Sequence, residues 1–464
     1  MGYFSPSLAV KIVLNFKERM NLLPEIKPFR GIFYNRAKIG NLADVVTPPY
    51  DVISPEERDA YYEASNYNII RLILGKTLPG DSPGNNKYTR ATHYFKEWRE
   101  QGILSTAEKP AIYTYEHAYK VKNKERKRVG FIALLKLEDF ESGKVLPHEK
   151  TFPKTRMDRL NLIRACETNF SQIFALYPDP ERKIDQILKS QAKNEPLAKV
   201  IDKNGVKHTI RAISNEKTIA DIAQLMRNKT IFIADGHHRY ETALNFRNEM
   251  RERLESYSGE EPFNYVMMMF VNMNGKGLTI LPVHRVLKDL PEVDEKRFAQ
   301  RASEFFEIET LEFDRDREVQ KTIMQQRLAE GFGQFHIFGA YLGTNRYHLL
   351  TLRDEDVMDK ILPNEHSHER KRLDVTILHS LLIDRILETK SKNLIKHNRI
   401  KFTPNMDEAI SLVDKGEYQI AFLVNPTRVE DVKAVASHRE KMPPKSTYFY
   451  PKLLTGLVMN KLEW

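Results

Sequence analysis

A single cysteine, Cys166, is all the thiol in 464 residues. An intrachain disulfide framework and a Cys-rich zinc site are therefore both excluded. A reducing, cytoplasmic setting is the expectation. In LNLIRACETN the cysteine falls in a helix-like stretch and reads as a small buried hydrophobe, not a nucleophile. No apolar stretch approaches the roughly 20 residues that cross a bilayer, so no membrane partner is expected. The N-terminus lacks the clean apolar core and small-residue cleavage site of a secretory signal. Residues 1–23 are read as an extension outside the main fold, with Met20 as a candidate natural start. Repeats and low-complexity tracts are missing too. So are a G-x-x-x-x-G-K-[ST] phosphate loop and the H-R-D and D-F-G pair of protein kinases. The run GFGQFH at 331–336 lacks the third glycine of a dinucleotide fingerprint and is expected to be a loop ahead of a strand.

What is present is ordinary globular composition, 41% hydrophobic and 29% charged, which is enough to build real cores. Domains run to roughly 100–200 residues, so two or three folded units are expected. The net charge of +10 is uneven. Residues 120–128 (KVKNKERKR) hold six basic residues and one acid between two strand-like stretches, and read as a solvated hairpin tip. No aromatics interleave with that run, so no nucleic-acid partner is expected. A basic excess also suits an enzyme that binds a polyanion.

Short β-like runs alternate with helix-like ones. Strands are expected at 111–115, 130–137, 230–234, 265–271, 347–352 and 419–424. Helices are expected at 55–63, 87–101, 156–167, 218–227, 239–255, 295–305, 318–329 and 375–387. The mixture indicates α/β, mixed α+β, architecture. A Pro-bearing joint at 287–293 (LKDLPEV) divides residues 24–290, which carry the distinctive motifs, from a C-terminal α/β domain at 291–464. Four irregular segments concentrate chemistry: 47–54 (TPPYDVIS), 146–153 (LPHEKTFP), 235–242 (DGHHRYET) and 442–452 (MPPKSTYFYPK). Loops on a rigid scaffold usually carry function, so these four are expected to converge.

The stretch TIFIADGHHRYETALNF is the most informative. An apolar β-branched run ends in Asp235 and Gly236, and a helix begins near His238. A strand, a glycine turn and a helix N-terminus form an anion site, because the first helical N–H groups lack internal partners. Gly236 lets backbone approach a phosphate closely. Arg239 adds a two-pronged clamp. His237 and His238 donate to phosphate or act as acid and base. Asp235 caps the helix, orients a histidine or holds Mg2+. In LPHEKT, Glu149 stands beside His148 and Lys150 and is a candidate general base for a hydroxyl substrate. The segment is no zincin, since the second histidine of H-E-x-x-H is missing. In TPPYDVIS, Tyr50 and Asp51 are candidate pocket residues, and Ser54 starts a helix with its cap. Near the C-terminus, Lys445, Thr447 and Lys452 are candidate phosphate or substrate contacts. His366 and His368 in NEHSHER read as an exposed loop.

These segments together resemble the DUF 1015 family, a name associated with pyrophosphate-dependent L-serine kinase. The resemblance runs from about Ile26 to the C-terminus. P-H-E followed by D-G-H-H-R also resembles the archaeal free serine kinases of the ParB/sulfiredoxin superfamily, with a long insertion between the two motifs. The resemblance implies a ParB-like phosphate-binding core with large insertions. It implies Glu149 as base and residues 235–239 as the phosphate turn. Phosphoryl transfer from pyrophosphate, ATP or ADP to free L-serine with Mg2+ is the implied reaction, and a homodimer the candidate assembly. A ParB-like nucleotide-binding regulatory module and a metal-dependent phosphohydrolase are the alternatives.

Overall fold

The computed structural model describes residues 24–291 and 293–463. The expected 1–23 extension lies outside the described residues. The chain folds as mixed α/β in two units. The first comprises the described residues up to Pro147, Thr151–Leu278 and the return segment from Pro451. The second comprises His148–Lys150 and Thr279–Tyr450.

The first unit is built on nine strands: β1 (Ile26–Lys27), β2 (Ile112–Val121), β3 (Lys124–Lys136), β4 (Val145–Pro147), β5 (Ile173–Tyr177), β6 (Ala198–Ile201), β7 (Lys207–Ile213), β8 (Ile231–Asp235) and β9 (Tyr265–Asn272). Their order is β4-β8-β5-β9-β3-β2-β7-β6, with β1 added to β3. The sheet is mixed: β4 runs parallel to β8 and β5 parallel to β9, and the other pairings are antiparallel. β9 (YVMMMFVN) is buried at every position, as a strand covered on both faces must be. On one face, Phe131, Met268 and Phe270 join residues of three helices in a single core. These helices are α4 (Lys183–Ser190), α5 (Glu216–Met226) and α6 (His237–Arg253). Earlier in the chain lie α1 (Pro55–Ala64), α2 (Lys87–Glu100) and α3 (Pro153–Cys166). Ser54 caps α1 through a reciprocal box with Glu57, as its sequence predicts.

The second unit contains a six-stranded antiparallel sheet. It uses β11 (His284–Leu287), β12 (Phe306–Glu312), β13 (Ile337–Tyr341), β14 (Arg346–Leu352), β15 (Ile400–Thr403) and β16 (Ile420–Leu423). The order is β12-β14-β13-β16-β11-β15. A separate ribbon pairs β10 (Thr279–Leu281) with β17 (Tyr448–Tyr450). The unit divides ahead of the Pro-bearing joint, because β11 lies inside its sheet. The last residues leave it, because their backbone pairs in the first unit: Ile32 with Met459, Thr47 with Thr455, and Asn169 with Asn460.

Most expected elements form within a few residues of the ranges read from sequence. The helix expected over 375–387 is one α-turn followed by a π-helix at Leu378–Ile386. The basic run is not a wide loop. Strand pairing continues to Val121 and Lys124, so the tip is Lys122 and Asn123, both with positive φ. Arg128, at the end of that run, is fully buried.

Phe270 stacks on Phe131 at 5.1 Å in the centre of the first core. Phe270→Ala is expected to cost about 3–5 kcal/mol by transfer and cavity terms. Chemical denaturation measures this, and a loss under about 1 kcal/mol would contradict the burial described.

Candidate functional site

β8 delivers the turn. Its buried residues end at Asp235, where the register against β5 shifts between Ile233 and Asp235. Gly236 then adopts φ 94°, ψ 28°, a left-handed conformation that side chains resist. The glycine has a second reason. A Cβ there would lie within 2.8–2.9 Å of Nη2, Cζ and Nε of Arg239, so the guanidinium folds against the bare turn. α6 begins at His237 without a side-chain cap, and its first internal hydrogen bond runs from Tyr240 N–H to the Gly236 carbonyl. The earlier N–H groups of such a turn face outward along the helix axis, where the dipole favours an anion.

Arg239 is held by the loop ahead of β5. Its Nη1 donates to Ser171 Oγ at 3.1 Å and to the Gln172 carbonyl, and its Nη2 lies 3.7 Å from Asp235. Its buried Nε has no hydrogen-bond partner among the described residues, and neither does Gln172 Oε1. Buried polar atoms of this kind call for an explanation such as a ligand or water. Lys452, from the return segment, places its ammonium 3.6 Å from Asp235. Arg128 donates Nη2 to the Pro451 carbonyl at 2.6 Å and lies over the Phe174 ring at 4.8 Å. Burial pulls its pKa down to about 10, opposed by Tyr119, Tyr115 and Asp235. Asp235 thus sits among three cations, one of which, Arg128, the sequence reading assigns to solvent. The signal for it is register: Arg128 pairs with His117 and shares a face with buried Tyr115 and His117.

The expected site residues fall into two groups. In the first unit, Tyr50 joins Arg239, Arg159, Ser171 and Thr242 around a cavity of about 60 Å3. The Arg159 guanidinium lies 4.1 Å from the Tyr50 ring centre. Burial raises the phenol's pKa, with Asp51 and Asp235 adding to the rise and Arg159 and Arg239 opposing it. Asp51 itself is exposed. His237 is buried. His238 Nε2 accepts the Phe152 N–H at 2.9 Å, and its ring stacks on Phe152. That nitrogen is an acceptor, so the neutral tautomer carries its proton on Nδ1. Glu241 takes Thr151 and Arg156, which fastens the start of α3 to α6.

In the second unit, the P-H-E and MPPKST segments meet. Glu149 Oε1 accepts the backbone N–H of Lys445 at 2.7 Å, and Lys445 has φ 57°. His148, buried, pairs its Nε2 with Thr447 Oγ1 at 3.0 Å, and its carbonyl accepts the Met442 N–H at 2.8 Å. Arg285 is fully buried and donates to the Lys445 carbonyl at 3.1 Å. Burial draws its pKa down to about 9 while Glu149 opposes the fall. Lys150 and Lys445 are exposed. Sequence reasoning missed Arg285, which lies in a strand and belongs to no motif.

Among the described residues no three His, Cys, Asp or Glu side chains converge as a metal cage. His366 pairs with Glu440 at 3.3 Å. Cys166 is buried, and its thiol pKa is pushed up to about 11 by burial, as suits a structural residue.

Gly236→Ala is expected to destabilise by about 1–3 kcal/mol through backbone strain and to displace Arg239, weakening inorganic phosphate binding at least tenfold. Gly205→Ala is the control, with φ 76° and no atom within 4 Å of its added Cβ. Melting and phosphate titration of both variants check this. Equal melting losses with phosphate binding intact would contradict the displacement of Arg239.

No curated protein sequence matches the chain. Among solved structures, a free serine kinase variant in complex with ADP is 9% identical, with a TM-score of 0.31, over 66% of this chain and 84% of its own. A conserved hypothetical protein from Pyrococcus furiosus is 11% identical, with a TM-score of 0.31, over 69% and 92%. SbnI with a C-terminal truncation, from Staphylococcus aureus, is 12% identical, with a TM-score of 0.31, over 69% and 85%. Likenesses of this size assign neither activity nor ligand. The family described as "Protein of unknown function (DUF1015)" matches residues 26–376, and the chain belongs to that family.

Proposed function

We propose that this chain is a small-molecule kinase whose 235–239 turn binds the phosphoryl donor. Free L-serine is the acceptor and pyrophosphate the favoured donor, with ATP or ADP as the other candidates. The observation that carries the donor site is the buried, unpartnered Nε of Arg239 lying on the bare face of Gly236. A phosphate oxygen there would complete Arg239 and meet the first N–H groups of α6. Hydrogen bonds to charged groups contribute about 1.5–3 kcal/mol each. The helix terminus adds about 0.3–1 kcal/mol, so Arg239 dominates. Lys452 and Arg128 supply further positive potential from Asp235's other sides. Lys150 and Lys445 are proposed as further phosphate contacts, and Asp51, His148 and Thr447 as substrate-side residues.

Glu149 is the proposed base, on the strength of the P-H-E motif and the backbone N–H that fixes its carboxylate. It takes the proton of the serine hydroxyl. The oxygen attacks the terminal phosphorus, the bond to the leaving phosphate breaks, and O-phosphoserine forms. Positioning and charge stabilisation carry most of such a reaction. His237 and His238 are proposed to steady the transferring group.

The donor set suits one role for Mg2+. A single carboxylate, Asp235, fits an ion that keeps its waters and is held largely by phosphate oxygens. Asp235 would hold the ion, whose chemistry there would be neutralisation of phosphate charge.

Phosphorus NMR of the protein with L-serine, Mg2+ and each donor in turn tests this. O-phosphoserine from one donor is the expected result. Free phosphate without phosphoserine would contradict the acceptor, and intact donors in every tube would contradict the kinase. Glu149→Gln is expected to abolish turnover while donor affinity stays within about twofold; unchanged turnover would remove Glu149 from the role.

A further inference from the structure

The first unit contains a second, larger cavity of about 480 Å3. None of its lining residues belongs to the 235–239 turn or to the four motif loops. Strand alternation places it. Thr114, Glu116, Lys127, Val129 and Arg211 line it from one face of the sheet, and Arg128 lines it as well, although its guanidinium donates to the Pro451 carbonyl. α4 and the loop after β9 complete the walls.

Two features define what the cavity suits. Its apolar lining is Val129, Leu188, Val271 and Leu278, of which Leu188 and Val271 are buried. Besides Arg128, its basic residues are Lys127, Arg182, Lys189, Arg211 and Lys276, against two carboxylates, Glu116 and Asp185. Both carboxylates are already engaged. Glu116 takes Lys127 at 2.8 Å and Arg211 at 3.9 Å. Asp185 takes Arg182 at 3.0 Å and the Asn272 amide at 3.2 Å. Basic residues outnumber the carboxylates, and Lys189 and Lys276, both exposed, pair with neither carboxylate. The wall is rigid. Gly277 packs so closely on the Lys127 carbonyl that a Cβ would overlap it, and the Tyr119 hydroxyl donates to the Gly277 carbonyl at 2.9 Å.

We infer that this cavity binds an organic phosphate bearing a planar apolar group, the chemistry of a nucleoside phosphate. The volume falls within the roughly 300–1,000 Å3 of small-molecule sites. An apolar floor receives a flat ring, and a cationic rim receives phosphate. Inorganic phosphate or pyrophosphate would leave the floor unfilled. No residue of the turn lines this cavity, so the site is separate from the turn.

Calorimetric titration of ADP and of pyrophosphate into the full chain tests this, using wild type, Arg239→Gln, and Lys189→Glu combined with Lys276→Glu. Both lysines are exposed, so the double variant is expected to fold. The expected result is ADP binding that survives Arg239→Gln and weakens at least tenfold in the double variant. Pyrophosphate binding is expected to stay unchanged in the double variant. ADP affinity unmoved by the double variant would overturn the site. Equal weakening of pyrophosphate and ADP would overturn the nucleoside part of the inference.

Discussion

The Arg239 guanidinium lies flat against a glycine that has no side chain to exclude it, and the functional reading depends on that contact. It requires Gly236 for two separate reasons, a positive φ and the space a Cβ would fill. It requires the 171–172 loop, which supplies a hydroxyl and a carbonyl to one end of the guanidinium. With Nη1 held there and Nη2 toward Asp235, Nε remains the buried donor on the turn. A buried charge needs partners or it becomes costly. Protein groups satisfy part of the guanidinium, and a phosphate oxygen at Nε would satisfy the rest.

The return of the chain from the second unit gives the turn its remaining cation. Pro451 is fixed by Arg128, and Lys452 follows directly beside Asp235. Backbone pairing of Thr455 with Thr47 ties the same segment to the loop that carries Tyr50. The second unit organises its own motif residues in a comparable way. A buried arginine, Arg285, holds the Lys445 carbonyl, and Glu149 holds the Lys445 N–H. In each unit a fully buried arginine fixes the backbone of a lysine-bearing loop.

Much of this was legible in local sequence. IFIAD followed by glycine and a helix-period run reads directly as strand, turn and helix, because each step is decided by neighbouring residues. Ser54 and Glu57 announce their capping box in the same way. Arg128 was not legible from composition, since six exposed-looking basic residues conceal one buried one. Only the cross-strand register with His117 separates it from Lys127. The pairing of 455 with 47 spans most of the chain, so no window contains it. The π-helix at Leu378–Ile386 is missed because its residues satisfy an ordinary helical pattern. The pyrophosphate, serine and base assignments rest on resemblance, and the anion-binding reading of the turn is a proposal supported by its geometry.

That geometry is tested most directly by titrating pyrophosphate into wild-type protein and Arg239→Gln by calorimetry. Saturable binding to wild type is expected, with a loss of about 1.5–3 kcal/mol in the variant, roughly 10- to 150-fold in Kd. Equal affinity of the two proteins for pyrophosphate would contradict a phosphate site on Arg239.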